Sequence, residues 1–130
     1  MQDQVQRLDN LYRDELPERV APLIRNLLAQ GTASLDVIAQ RLAMSPRTLQ
    51  RSLNAEGTSF LKLLDETRRS LAEQYLRESQ LQVNQLAELL GYAQVTSFTT
   101  AFGRWFGCSP TKWRQARQLV PRRLIRRIQN

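Results

Sequence analysis

One apolar pattern occurs twice in this chain, and that repeat restricts the fold more than any other feature. In the second copy Val83, Leu86, Ala87 and Leu90 share one face at helical spacing. Gly91 follows and can take the left-handed conformation that ends a helix. A further run places Phe98, Ala101, Phe102, Trp105 and Phe106 at i, i+3, i+4, i+7 and i+8. In the first copy Ile38, Ala39 and Leu42 match Leu86, Ala87 and Leu90 at an offset of 48. Past the turn, Leu49 and Leu53 match Phe98 and Phe102 at an offset of 49, so the second turn is one residue longer. Each copy reads as a helix–turn–helix, in which a buried helix braces a second one whose polar side is left free for a DNA groove.

The remaining segments fit around these copies. Residues 1–16 are polar with scattered Val5, Leu8, Leu11 and Leu16, and read as either a linker or a weak helix. Pro17 is expected to break the chain. A helix from Glu18 to Ala29 then carries Val20, Leu23, Ile24, Leu27 and Leu28, with Pro22 in its first turn and Gly31 after its end. Ser34 caps the brace of the first copy, from Leu35 to about Leu42, with Leu35, Ile38, Ala39 and Leu42 inward, and Ala43-Met44 makes the turn. Ser45 caps the next helix, Pro46 takes its first position, and Gly57 ends it. Thr58 or Ser59 opens a long helix to about Arg77, with Phe60, Leu61, Leu64, Thr67, Leu71, Tyr75 and Leu76 on one side. Ser109 and Pro110 repeat the cap-and-proline start for a last short helix carrying Trp113. After Pro121 the run RRLIRRIQN is either a frayed solvated tail or a phosphate-binding extension.

Composition removes several classes of function. Histidine is absent and Cys108 is the single cysteine. Histidine-based catalysis, a Cys/His zinc site and an internal disulfide are therefore excluded, and Cys108 reads as a small residue at a helix junction. No Gly-rich phosphate loop is present. We expect no enzyme, no cofactor and no metal. No apolar run approaches the ~20 residues that span a bilayer, and the polar, mixed-charge N-terminus is unlike a signal peptide.

The net charge of +7 is concentrated at one end: residues 81–130 contain eight Lys and Arg against one acid, Glu88. Residues 1–40 contain four Arg and six acids. A basic excess that coincides with a helix–turn–helix points to a polyanionic partner.

The stretch LAELLGYAQVTSFTTAFGRWFGCSPTKWR resembles the second helix–turn–helix of the AraC/XylS family of bacterial transcription activators. The matching residues are Leu86, Ala87, Leu90, Gly91, Tyr92, Phe98, Phe102, Trp105, Phe106, Gly107, Ser109, Pro110 and Arg114. SPRTLQRSLNAEGTSF is similar to the family's first recognition helix and the loop after it. The resemblance covers roughly residues 17–117. It implies an all-α fold of about seven helices, with two helix–turn–helix subdomains joined by a long linker helix. The expected boundaries are a first subdomain at 17–57, the linker helix at 58–77, a second subdomain at 78–120 and a basic tail at 121–130. A rod of about 19 residues at ~1.5 Å each is ~28 Å long, near the ~34 Å that separates successive major grooves on one side of B-DNA.

The resemblance also implies which side chains read DNA. In the first head these are Arg47, Gln50 and Arg51, with Ser45 and Thr48 nearer the backbone; Arg suits guanine and Gln suits adenine. In the second head they are Gln94, Val95, Thr96, Ser97, Thr99 and Thr100. Here the chain departs from the family, with Thr100 where Arg is frequent and Gly103 where Lys is frequent. The first head is therefore expected to carry more of the specificity, and the second to supply phosphate contacts and contacts with thymine methyls. Arg104, Lys112 and Arg114 are candidate phosphate partners, although Arg114 has the alternative of pairing with Glu88.

The implied partners are a promoter site in double-stranded DNA and RNA polymerase, in the bacterial cytoplasm. The isolated unit is expected to be a monomer and the C-terminal piece of a longer regulator, whose missing N-terminal domain would bind an effector or dimerise. The competing reading is a helical adaptor that binds an acidic protein; the acid-free outward faces of 45–54 and 94–104 suit a groove better. If DNA is the partner, affinity falls steeply as salt rises from 50 to 200 mM, with a slope that corresponds to ~6–10 neutralised phosphates. A flat response in a fluorescence titration contradicts this.

Overall fold

The computed structural model describes residues 16–118, all of them in helices or the short connections between helices. The expectations for residues 1–15 and for the tail at 121–130 lie outside the described residues. The helices are α1 (Leu16–Leu28), α2 (Leu35–Arg41), α3 (Pro46–Ala55), α4 (Phe60–Glu78), α5 (Val83–Leu89), α6 (Val95–Phe106) and α7 (Pro110–Gln118). The chain forms two compact units that divide between Arg68 and Arg69, inside α4.

In the first unit α1 packs on both α2 and α3, and α2 packs on α3. Leu16, Val20, Ile24, Leu27 and Leu28 of α1 are buried, as are Ile38 and Ala39 of α2 and Leu49 and Leu53 of α3. The starts of α2 and α3 are each tied down by a serine. The Ser34 Oγ accepts from the Val37 N–H at 3.2 Å, and the Ser45 Oγ from the Thr48 N–H at 3.1 Å. Such a cap is worth ~1 kcal/mol. Ser59, not Thr58, caps α4, accepting from the Lys62 N–H at 3.1 Å.

The second unit repeats the brace and its partner. Leu86, Ala87 and Leu90 are buried from the α5 side, and Phe98, Ala101 and Phe102 from α6. Phe98 and Phe102 meet edge to face, with ring centroids 5.9 Å apart, and Phe102 also contacts Phe106 at 4.7 Å. Trp113 of α7 closes the cluster at 6.3 Å from Phe102. Burying a side chain of this kind contributes about 1.5–3 kcal/mol. Trp105 and Phe106 lie at the rim and are only half-buried.

Several sequence-based expectations need correction. Helix α1 begins at Leu16, so Pro17 lies within its first turn and Pro22 within its interior. The Pro22 ring removes the N–H that would bond the Glu18 carbonyl, but both residues are exposed to solvent. On α4 the buried row is Phe60, Leu63, Thr67, Leu71, Ala72 and Leu76. Leu61 is instead 72% exposed. The reason is angular: Leu61 lies about 200° around the helix from Leu63, which takes the inward place. Buried Thr67 satisfies its hydroxyl on the Leu63 carbonyl at 2.7 Å. Leu42, expected inward, is half-buried because it caps α2 rather than continuing it.

The two tight turns close identically. In the first, the Met44 N–H donates to the Ala39 carbonyl at 2.9 Å and the Ala43 N–H to the Gln40 carbonyl at 3.1 Å. In the second, Tyr92 donates to Ala87 at 2.9 Å and Gly91 to Glu88 at 3.0 Å. This is the same paired carbonyl cap, and it needs a left-handed residue at its corner. Gly91 provides φ 80° without strain, whereas Ala43 is held at φ 55°. Ala43→Gly should therefore raise stability by about 0.5–1 kcal/mol, the relief of strain exceeding the added chain entropy. Thermal unfolding should show a Tm higher by a few degrees; an unchanged or lower Tm refutes the strain.

Candidate nucleic-acid interface

With Leu49 and Leu53 turned inward, α3 presents Arg47, Thr48, Gln50, Arg51 and Asn54 to solvent. Arg47 and Gln50 lie in the first half of the helix and Arg51 directly follows them, behind a rigid start. The Ser45 hydroxyl donates to the Thr48 Oγ1 at 2.8 Å while accepting the Thr48 N–H, and Pro46 holds the first position. Both hydroxyls are thus ordered at the point where the chain enters the helix. A groove of about 350 Å³ runs beside α3, lined by Thr48, Arg51, Ser52 and Ala55. Small side chains there leave the Arg51 flank open. No acid lies between Ser45 and Ala55.

The corresponding edge of α6 is less charged. Gln94, Val95, Thr96, Ser97, Thr100 and Arg104 are exposed, and Thr99 is half-buried. Gln94 occupies the cap position but its side chain accepts no backbone N–H of the first turn, unlike Ser45 at the start of α3. The Thr99 hydroxyl donates to the Thr96 carbonyl at 3.0 Å. Gly103 continues the same side with no atom within 4 Å of where a Cβ would sit.

Of the three candidate phosphate partners, Arg104 and Lys112 are exposed. Arg114 is placed differently from the sequence-based expectation of a phosphate contact or a pairing with Glu88. It is half-buried and its Nη1 donates to the Leu81 carbonyl at 2.6 Å, across 33 residues. Its Nε and Nη2 are also buried. Arg114 thus joins α7 to the chain entering α5, and its partner is a backbone carbonyl rather than the Glu88 carboxylate. Burial of the α7 side that carries Trp113 draws the guanidinium inward.

Two cations that the sequence did not single out also serve packing. The Arg69 guanidinium lies over the Phe106 ring at 5.3 Å, and that of Arg117 over Trp113 at 4.4 Å. The Trp113–Arg117 pair has the i, i+4 spacing of helix neighbours and was open to recognition. Arg69 and Phe106 are too distant in the chain for any spacing to connect them.

Residues 38–116, the span of both helix–turn–helix copies, match the helix-turn-helix domain family. The chain belongs to the AraC/XylS family. The HTH-type transcriptional regulator VirS of Mycobacterium tuberculosis is 43% identical over 99 residues, which are 76% of this chain and 29% of that protein. The urease operon transcriptional activator of Escherichia coli is 34% identical over 113 residues, 84% of this chain and 38% of that protein. A DNA-binding transcriptional dual regulator from Escherichia coli K-12 has a solved structure that superposes with a TM-score of 0.71 at 32% identity, covering 77% of this chain and 89% of that one. The DNA-binding domain of AdpA, solved in complex with a target DNA, superposes with a TM-score of 0.67 at 25% identity, covering 81% of this chain and 97% of that one. This AraC/XylS chain spans about 29–31% of the length of the first curated relatives that it matches.

The inward position of Arg114 can be separated from a phosphate role. Arg114→Gln should lower the Tm, because the Leu81 carbonyl loses its donor at a cost of about 1–3 kcal/mol. It should leave the salt dependence of DNA affinity as it was. Lys112→Gln should reduce that slope by about one unit with no change in Tm. A reduced slope in the Arg114 variant would return Arg114 to the interface.

Proposed function

We propose that this chain is the sequence-specific DNA-binding unit of a bacterial transcription regulator, with α3 and α6 entering successive major grooves of one promoter site. The observation that carries the reading is the exposed row Arg47, Gln50 and Arg51. It lies on the groove-entering half of a helix whose other side is buried and whose start is locked. Arg forks onto guanine O6 and N7, and Gln onto adenine N6 and N7, so this row can discriminate bases. The family membership and the DNA-bound AdpA domain support the same partner.

Engagement of both heads on one site is part of this reading. Gln94, Val95, Thr96, Ser97, Thr99 and Thr100 then belong to the second reading surface. Arg104 and Lys112 hold phosphates, and Ser45 and Thr48 approach the backbone beside α3. The unit acts as a monomer on an asymmetric site, in the cytoplasm, and recruits RNA polymerase.

Selection of bound duplexes from a random pool, followed by binding titrations, tests this. Arg47→Ala or Arg51→Ala should each cost ~1–3 kcal/mol on the selected site and relax the preference at one base pair. Equal losses on selected and random DNA would mean that these arginines hold only phosphates.

A further inference from the structure

We infer that α6 reads its half-site through thymine methyl groups, with Val95 as the principal contact. This rests on the DNA-binding reading above and specifies the chemistry of its second half. Val95 is the first residue of α6 and is 38% exposed. Among the described residues it and Leu61 are the exposed large apolar side chains. An isolated exposed apolar residue is ordinary, but its position here is not. It stands at the end of the helix that enters the groove in a helix–turn–helix.

The neighbouring side chains strengthen the assignment. No Arg or Lys occurs from Gln94 to Gly103, so the first turns of α6 carry no fork for guanine. Two of its threonines direct their hydroxyls within the helix. The Thr99 hydroxyl donates to the Thr96 carbonyl at 3.0 Å, and the Thr96 hydroxyl points at the Gln94 amide oxygen at 3.5 Å. With those hydroxyls engaged, Thr96 and Thr99 keep their methyls for a base edge, beside the polar groups of Gln94, Ser97 and Thr100. Gly103, two turns beyond Val95, adds no side chain to hold the helix off the duplex. Thymine is the base that shows an apolar group, its C5 methyl, in the major groove. The Val95 contact thus gives α6 an apolar readout that the hydrogen-bonding row of α3 lacks.

The test uses the full chain and a duplex selected from a random pool. Each thymine in turn is replaced by deoxyuridine, which removes the C5 methyl and leaves the hydrogen-bonding pattern intact. The wild-type chain should lose about fourfold in affinity at one or two thymines, the size expected for one buried methyl. In Val95→Ser that loss should disappear at the same positions, with an unchanged Tm because the residue is exposed. In Arg47→Ala it should persist, which places it outside the half-site read by α3. The inference is overturned if no thymine is sensitive, or if Val95→Ser keeps the sensitivity. A chain that selects no sequence at all would instead sink the DNA-binding reading itself.

Discussion

Two buried side chains, one turn apart, hold each reading helix in place. In α3 they are Leu49 and Leu53, both fully buried, and in α6 they are Phe98 and Phe102. A helix of 10 or 12 residues is marginal in water, because nucleation is costly and each further bond adds little. Fixing one edge against a brace provides the missing stability and also sets which residues face outward. Arg47, Gln50 and Arg51 are presented together because Leu49 and Leu53 are not free to turn. The exposed chemistry is thus a consequence of the apolar packing behind it.

The turn between brace and reading helix obeys the same constraint. Both copies close it with two backbone hydrogen bonds around a left-handed corner. One copy meets the requirement with glycine and the other with alanine, so the geometry is kept even where the residue is poorly suited to it. The two copies differ more behind the reading helix. Behind α3 the first unit packs mainly aliphatic side chains, whereas the second uses a cluster of aromatic rings with Arg69 and Arg117 laid over two of them. In the second unit the Arg69 and Arg117 guanidiniums lie over rings and that of Arg114 donates to the Leu81 carbonyl, so these cations serve packing.

Most helices could be read from spacing and punctuation alone. Ser34, Ser45 and Ser109 each precede a helix and each accepts an N–H from its first turn. Capping is a local interaction over three residues, so local sequence carries it in full. Placement of Arg47, Gln50 and Arg51 on one exposed side was legible for the same reason, since a helix converts spacing directly into direction. Burial on the long helix was harder. Leu61 and Leu63 are both apolar, and spacing alone put the wrong one inside, because α4 offers several overlapping stripes and the choice depends on what packs against it.

The sequence by itself determined the repeated helix–turn–helix, the capped starts and the polar, acid-free reading edges. Each of these follows from interactions between residues at most a few turns apart. Tertiary structure decided which way the ambiguous side chains turned. Arg114 went inward to a carbonyl 33 residues away, Arg69 went to Phe106, and Leu61 was left in water. No spacing rule reaches such outcomes, because a long side chain settles where desolvation and a distant partner are jointly most favourable, and that partner exists only once the chain has folded.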